Sequence, residues 1–141
     1  MSSVVRKVSL VFAAGCVGGL VNGLLIWYLG QIGVPQKFGV AIAPALAPPF
    51  LYAKLVWGGI WGALFLLPLW RSGFWTGVVI RGILFSFGPT LAQLLYVFPQ
   101  MAHKGMFGTD LGGLTPLFVV FYNGAWGIAA ALWLHAANKG S

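Results

Sequence analysis

The chain has 141 residues, of which 60% are hydrophobic and 6% charged. A soluble domain carries roughly a quarter charged residues, so this chain cannot clothe a core in polar side chains, and the class that fits is a single-domain integral membrane protein. Eight Lys and Arg stand against one acid, Asp110; apart from Arg6-Lys7 they are scattered singly around apolar segments, a pattern of topology signals and anionic lipid contacts rather than of a nucleic-acid face.

The chain opens with "MSSVVRKVSLVFAAGCVGGLVNGLLIWYLG". A charged start, an apolar run and Ala13-Ala14-Gly15-Cys16 allow a cleaved signal as the rival reading. The apolar run continues well past the length of a signal's core, so an uncleaved first helix is expected. Cys16 is the lone cysteine and makes neither an internal disulfide nor a metal cluster.

A helix needs about 20 apolar residues to cross the hydrocarbon. Four stretches qualify, at about residues 8–29, 51–70, 74–98 and 115–134. The expected fold is therefore an all-α bundle of four transmembrane helices. Only a few residues around Arg71-Ser72-Gly73 join the second and third spans, which predicts an antiparallel hairpin. Residues 30–50, with "VAIAPALAPPF", are apolar but proline-rich, and read as an interfacial or partly re-entrant cap. Residues 99–114 form a more polar loop on the same side. Gly88-Pro89 predicts a kink within the third span, because proline leaves the Phe85 carbonyl without its helical donor.

The halves resemble each other. Pro35-Gln36, Phe38-Gly39, Pro49-Phe50 and Gly59-Ile60-Trp61-Gly62 recur in order as Pro99-Gln100, Phe107-Gly108, Pro116-Leu117-Phe118 and Gly124-Ala125-Trp126-Gly127. This predicts a helix–loop–helix unit duplicated in tandem, residues 1–70 and 71–141, related by an axis along the membrane normal. Arg6, Lys7, Arg71 and Lys139, with Arg81 close by, outweigh Lys37, Lys54 and Lys104 offset by Asp110. By the positive-inside rule both termini face the cytoplasm.

Within lipid, helices associate through close backbone approach more than through burial, so small residues four apart mark packing seams. Gly15, Gly19 and Gly23, with Gly18 and Asn22 beside them, form one on the first span. Gly58 and Gly62 form one on the second; Gly127 and Ala131, with Asn123 a turn earlier, form one on the fourth. Each serves packing within the monomer or against another subunit. Trp61 and Trp126 fall mid-span, where an indole N–H needs a partner or a cavity. Asn22, Asn123, Ser86, Gln93 or a freed carbonyl are the available acceptors.

On the third span Gly82, Ser86, Pro89, Gln93, Tyr96 and Gln100 fall within roughly 80° of one another on a regular helix. Such a stripe either joins helices or lines a cavity. Arg81 and Lys54 lie a turn or two inside their spans, at opposite faces of the membrane. Each either snorkels to headgroups or holds an anion or an acidic lipid headgroup. No acid lies within the spans, so a proton-coupled transporter's embedded carboxylate is missing. The sequence presents no metal set, haem ligation or supported nucleophile, and no cofactor is expected; a His103–Asp110 dyad in the outer loop is the weakest of the alternatives.

Trp75, Gly77, Ala92, Gln93, Pro99 and Leu114-Thr115-Pro116, in "FWTGVV…LAQLLYVFP…GGLTPLF", resemble the C-terminal half of YagU-like bacterial inner-membrane proteins, over about a third of the chain. That family's long hydrophilic insertion is missing here. The resemblance implies a bacterial inner membrane and no activity. The function expected is a non-catalytic membrane subunit, either self-assembling as a homo-oligomer or accessory to a larger inner-membrane complex. Its partners would be the bilayer, anionic headgroups and protein, not nucleic acid. The alternative is a passive channel or transporter for a small neutral or anionic solute; an enzyme is the third class.

Overall fold

The computed structural model describes residues 3–68 and 73–139, the side chains as far as residue 137. Trp70, Arg71 and Ser72 of the expected turn lie outside the described residues, as does the Lys139 side chain. The described residues contain four helices long and apolar enough to cross a membrane. We label the helices α1 (Ser3–Gln31), α2 (Val34–Lys37), α3 (Pro48–Trp61), α4 (Arg81–Ala92) and α5 (Thr115–Lys139). A 3₁₀ turn, Gly62–Leu66, continues α3, and π-helical turns, Trp75–Ile80 and Gln93–Met101, extend α4 at both ends.

Local chemistry accounts for the boundaries. α1 runs longer than its apolar core because nothing interrupts it before Gly33, whose φ of 80° is the left-handed conformation that ends a helix. Proline opens α2 and α3 at their first turns, where a missing N–H costs nothing. Helix α4 continues through Pro89, and a π turn follows from Gln93 and contains Pro99. A π turn shifts the register of donors and carbonyls, and Pro99, having no N–H, sits within that shift.

The order around the bundle is α3, α1, α5, α4. α1 packs on both α3 and α5, and α4 packs on α5. A tight hairpin of the second and third spans does not form. α3 and α4 meet over a limited stretch, where Trp61 and Leu64 lie against Gly88 and the Phe65 and Phe85 rings stand edge to face at 5.1 Å. The reason lies in the small residues. α3 spends Gly58 and Gly62 on α1, and α4 spends Gly82 on α5. What α3 and α4 turn toward each other, Trp57, Trp61 and Tyr96, is too bulky for close approach.

Several of these glycines make close backbone contacts inside the chain. A Cβ at Gly58 would stand 2.6 Å from the Gly15 carbonyl oxygen and 3.0 Å from the Gly19 Cα. Gly62, a turn further along, meets the Val11 carbonyl and the Gly15 backbone; from α1, Gly15 meets the Gly58 carbonyl, Gly19 the Lys54 backbone carbonyl and Gly23 the Lys54 side chain. A second seam closes α4 on α5, with Gly82 and Gly127 each against the other's carbonyl.

The side bearing both termini (the terminal side) is filled by Val11, Ala14, Phe65, Val78, Phe85, Trp126, Ala130 and Leu134. The opposite side is roofed by the two long connections, which are pinned together. Ala41 N–H donates to the Leu111 carbonyl at 2.9 Å, and Gly112 approaches the Gly39 carbonyl too closely for any side chain. Residues 40–47 are irregular backbone beneath which Val40 is buried. The proline-rich segment is thus a cap, and we call this the cap side.

Candidate functional site

Asn22 of α1 and Asn123 of α5 lie at mid-depth, 3% and 7% exposed. Asn22 Nδ2 donates to the Tyr122 carbonyl at 2.8 Å and reaches Asn123 Oδ1 at 3.4 Å. Asn123 Nδ2 donates on to Thr90 Oγ1 at 3.2 Å and Gln93 Oε1 at 3.3 Å. Thr90 Oγ1 donates to the Ser86 carbonyl, and Ser86 Oγ to the Ile83 carbonyl. One chain of hydrogen bonds therefore ties α1 to α5 and α5 to α4. Inside a bilayer such amides must find each other.

Of the expected stripe, Ser86 and Gln93 join this network. Ser86 is buried and Gln93 half-buried, but Tyr96 and Gln100 are exposed. Pro89, Gln93 and Tyr96 nevertheless line one cavity, while the π turn from Gln93 onward takes the later positions off a uniform helical period. Thr90, one turn beyond Ser86, belongs to the network and lies just outside the predicted stripe. Its signal is the i, i+4 spacing of two hydroxyls, Ser86 and Thr90.

The two mid-span tryptophans diverge. Trp126 is buried, donates from Nε1 to the Gly15 carbonyl at 3.1 Å, and lies against Gly18. Its partner is a main-chain carbonyl of a glycine-rich helix, where no side chain blocks the approach. Trp61 instead lines a cavity.

That cavity, about 460 Å³, lies between all four spanning helices and opens between α3 and α4. Asn22, Asn123, Gln93 and Lys54 give it a polar region. Trp57, Trp61, Tyr96, Val97 and Met101 give it apolar walls. Trp57 is 60% and Tyr96 59% exposed at its lateral mouth. A second cavity, about 390 Å³, lies under the cap, bounded by Ala41, Ile42, Ala43 and Pro44 above and by Ile26, Phe50, Phe98 and Tyr122 below. Lys54 and Gln93 belong to the walls of both. Each volume falls within the range of about 300–1,000 Å³ typical of small-molecule sites.

Lys54 is half-buried at this junction. Its Nζ lies 5.6 Å from the centroid of the Phe50 ring, a cation–π contact. Among the described residues its side chain has no hydrogen-bond or ion-pair partner. Tyr122, in the wall of the cap cavity, has a buried hydroxyl without a hydrogen-bond partner. The sequence held no sign that Tyr122 would join the site, because its neighbour Asn123 carries the visible polarity.

Arg81 is at the other end of the bundle from Lys54, and its guanidinium has partners within the chain. Its Nη2 donates to the Phe65 carbonyl at 2.6 Å and the Leu67 carbonyl at 3.2 Å. Its guanidinium lies over the Phe65 and Phe85 rings, 5.1 and 5.4 Å from their centroids. The 3₁₀ turn that ends α3 leaves carbonyls unpaired, and a planar guanidinium satisfies them better than water in a thin polar layer. Arg81 is thus a clasp between α4 and the end of α3. In the cap loop, no hydrogen bond or ion pair among the described residues joins His103 to Asp110.

Comparison with family models, with curated proteins and with solved structures finds no match to this chain.

Proposed function

We propose that this small polytopic membrane protein is non-catalytic and receives a small neutral or anionic molecule between its helices on the cap side. The observation that carries the reading is the pair of cavities sharing Lys54 and Gln93. Lys54 and Gln93 belong to both walls and Tyr122, with its unpartnered hydroxyl, to the wall of the cap cavity; neither wall contains a carboxylate, imidazole or thiol. Such a donor set suits recognising and orienting a ligand. The glycine seams that suggest an accessory or self-assembling subunit are spent on internal packing, which favours the binding reading over the assembly reading. The site is one-sided. Passage to the terminal side requires the plug of Phe65, Phe85 and Trp126 to move.

Two companion proposals rest on sequence. Loop charge favours N-in, C-in topology, so the cap faces away from the cytoplasm, and the YagU-like resemblance favours a bacterial inner membrane. The repeated Gly-x-Trp-Gly favours tandem duplication, with divergence since: Gly59 packs against Phe12 and Cys16, whereas a Cβ at Gly124 meets open space.

Cysteine accessibility tests the main reading. Gln93→Cys in a Cys16→Ala background should react with an anionic, membrane-impermeant thiosulfonate roughly tenfold faster than with a cationic one, because Lys54 concentrates anions locally. Adding Lys54→Gln should erase the difference. A thiol inert to both reagents would remove the site from consideration.

A further inference from the structure

We infer that the ligand is an acid-headed amphiphile that enters sideways from the bilayer, with a phosphate or carboxylate at Lys54, Gln93 and Tyr122 and its apolar chain between α3 and α4. This rests on the reading above and names the ligand class of the same site.

Three observations carry it. The first is the donor set. An ammonium in a membrane interior is costly without a counter-charge, and the chain's only acid, Asp110, is in the cap loop. Tyr122 adds a buried hydroxyl with no partner, and Gln93 an amide. All three donate to an acid oxygen, and a monoester phosphate or carboxylate offers the lone pairs to accept them. The second is the direction of polarity. The donors lie toward the cap side, and Trp57, Trp61, Pro89 and Ala92 continue the cavity toward mid-membrane. A lipid of the cap-side leaflet has the same order, acid at the surface and chain toward the midplane. The third is the route. The cleft opens laterally, where Trp57 and Tyr96 are exposed, and α3 and α4 pack together only farther toward the terminal side. Ala41, Ile42, Ala43 and Pro44 of the cap bound the other side of the donors. An amphiphile reaches the donors through the lateral cleft with its chain still in the bilayer.

The test is native mass spectrometry of the full chain released from a neutral detergent. Three probes are used: phosphatidic acid, phosphatidylcholine with the same acyl chains, and inorganic phosphate. The wild type should retain phosphatidic acid at least about tenfold better than phosphatidylcholine, the scale on which a desolvated charge pair contributes. Lys54→Gln should abolish the preference. Tyr122→Phe, which keeps the ring, should reduce it by several-fold. Lys37→Gln, on the cap surface, should leave it unchanged and so controls for general charge. Equal retention of the two lipids, or a preference surviving Lys54→Gln, overturns the inference. Inorganic phosphate displacing phosphatidic acid at millimolar concentration in a Lys54-dependent way also overturns it, while leaving a small-anion site and hence the proposed function intact. Failure of all three probes to bind, with an unreactive Gln93→Cys, sinks both.

Discussion

Helix α3 presents two faces, and they behave oppositely. Gly58 and Gly62 press against the α1 backbone so closely that a methyl group at either would collide with it. Trp57 and Trp61, one residue earlier in each case, face a cavity that four helices surround without filling. A rotation of about 100° separates a sealed interface from an open one. In lipid the difference does not come from hydrophobicity, since both faces are apolar. It comes from how near two backbones can approach, which glycine permits and tryptophan forbids. The glycine–tryptophan alternation in "WGGIWG" therefore sets one side of the helix to hold and the other to admit.

The largest expected effect breaks the sealed face. Gly58→Leu should cost about 3 kcal/mol, the upper range for overpacking, and should be seen as loss of a monodisperse peak on size exclusion in detergent. Trp57→Ala, on the open face, should leave that peak unchanged and alter ligand retention instead. If the two substitutions had equal effects on assembly, the contrast between the faces would be false.

Arg81 sharpens the comparison, because it holds the end where α3 and α4 do meet. Arg81→Lys should lower stability by about 1–2 kcal/mol, since lysine keeps the charge but cannot reproduce the planar fork that serves two carbonyls and lies on two rings. Thermal unfolding in detergent would read this. A silent lysine variant would mean that the guanidinium contacts headgroups rather than the Phe65 and Leu67 carbonyls.

A smaller effect is expected at the polar network. Asn123→Leu should cost about 0.6–1.7 kcal/mol, the range of hydrogen bonds between helices in membranes. It should also loosen Gln93, which accepts from Asn123, so ligand retention should fall more than stability does. The smallest comparison concerns the repeat. Gly59→Ala should be destabilising because the new methyl meets Phe12 and Cys16, while Gly124→Ala, with open space around it, should fall within about 0.5 kcal/mol of wild type.

Much of this was legible in particular residues. The spans follow from the apolar runs, and the seams from glycines at intervals of four. The need for a partner at Trp126 follows from its mid-span position. Three features were not legible, each for a physical reason. Helix order depends on which glycine faces meet, and Gly58 could in principle have met α4 as well as α1. The fate of Gln100 depends on the π turn from Gln93, which a constant 3.6-residue period does not foresee. The role of Arg81 depends on carbonyls freed by a 3₁₀ ending at Leu66, and main-chain acceptors leave no mark in the residue types. Lys54 was visible as an intramembrane cation, but its position at the junction of two cavities arises only when α3 and α4 stay apart.

The openness of the α3–α4 face is the central claim, and lipid quenching measures it directly. A bimane label on Ala92→Cys, in the cavity wall, is compared with one on Leu132→Cys, an outward position 46% exposed, both in a Cys16→Ala background. The vesicles contain lipids brominated on the acyl chain, with either an acidic or a zwitterionic headgroup. At Leu132 quenching should be strong and indifferent to headgroup. At Ala92 it should be present, and greater when the brominated lipid is acidic. No quenching at Ala92 with either lipid would mean that α3 and α4 close on each other in the bilayer, and would contradict the account.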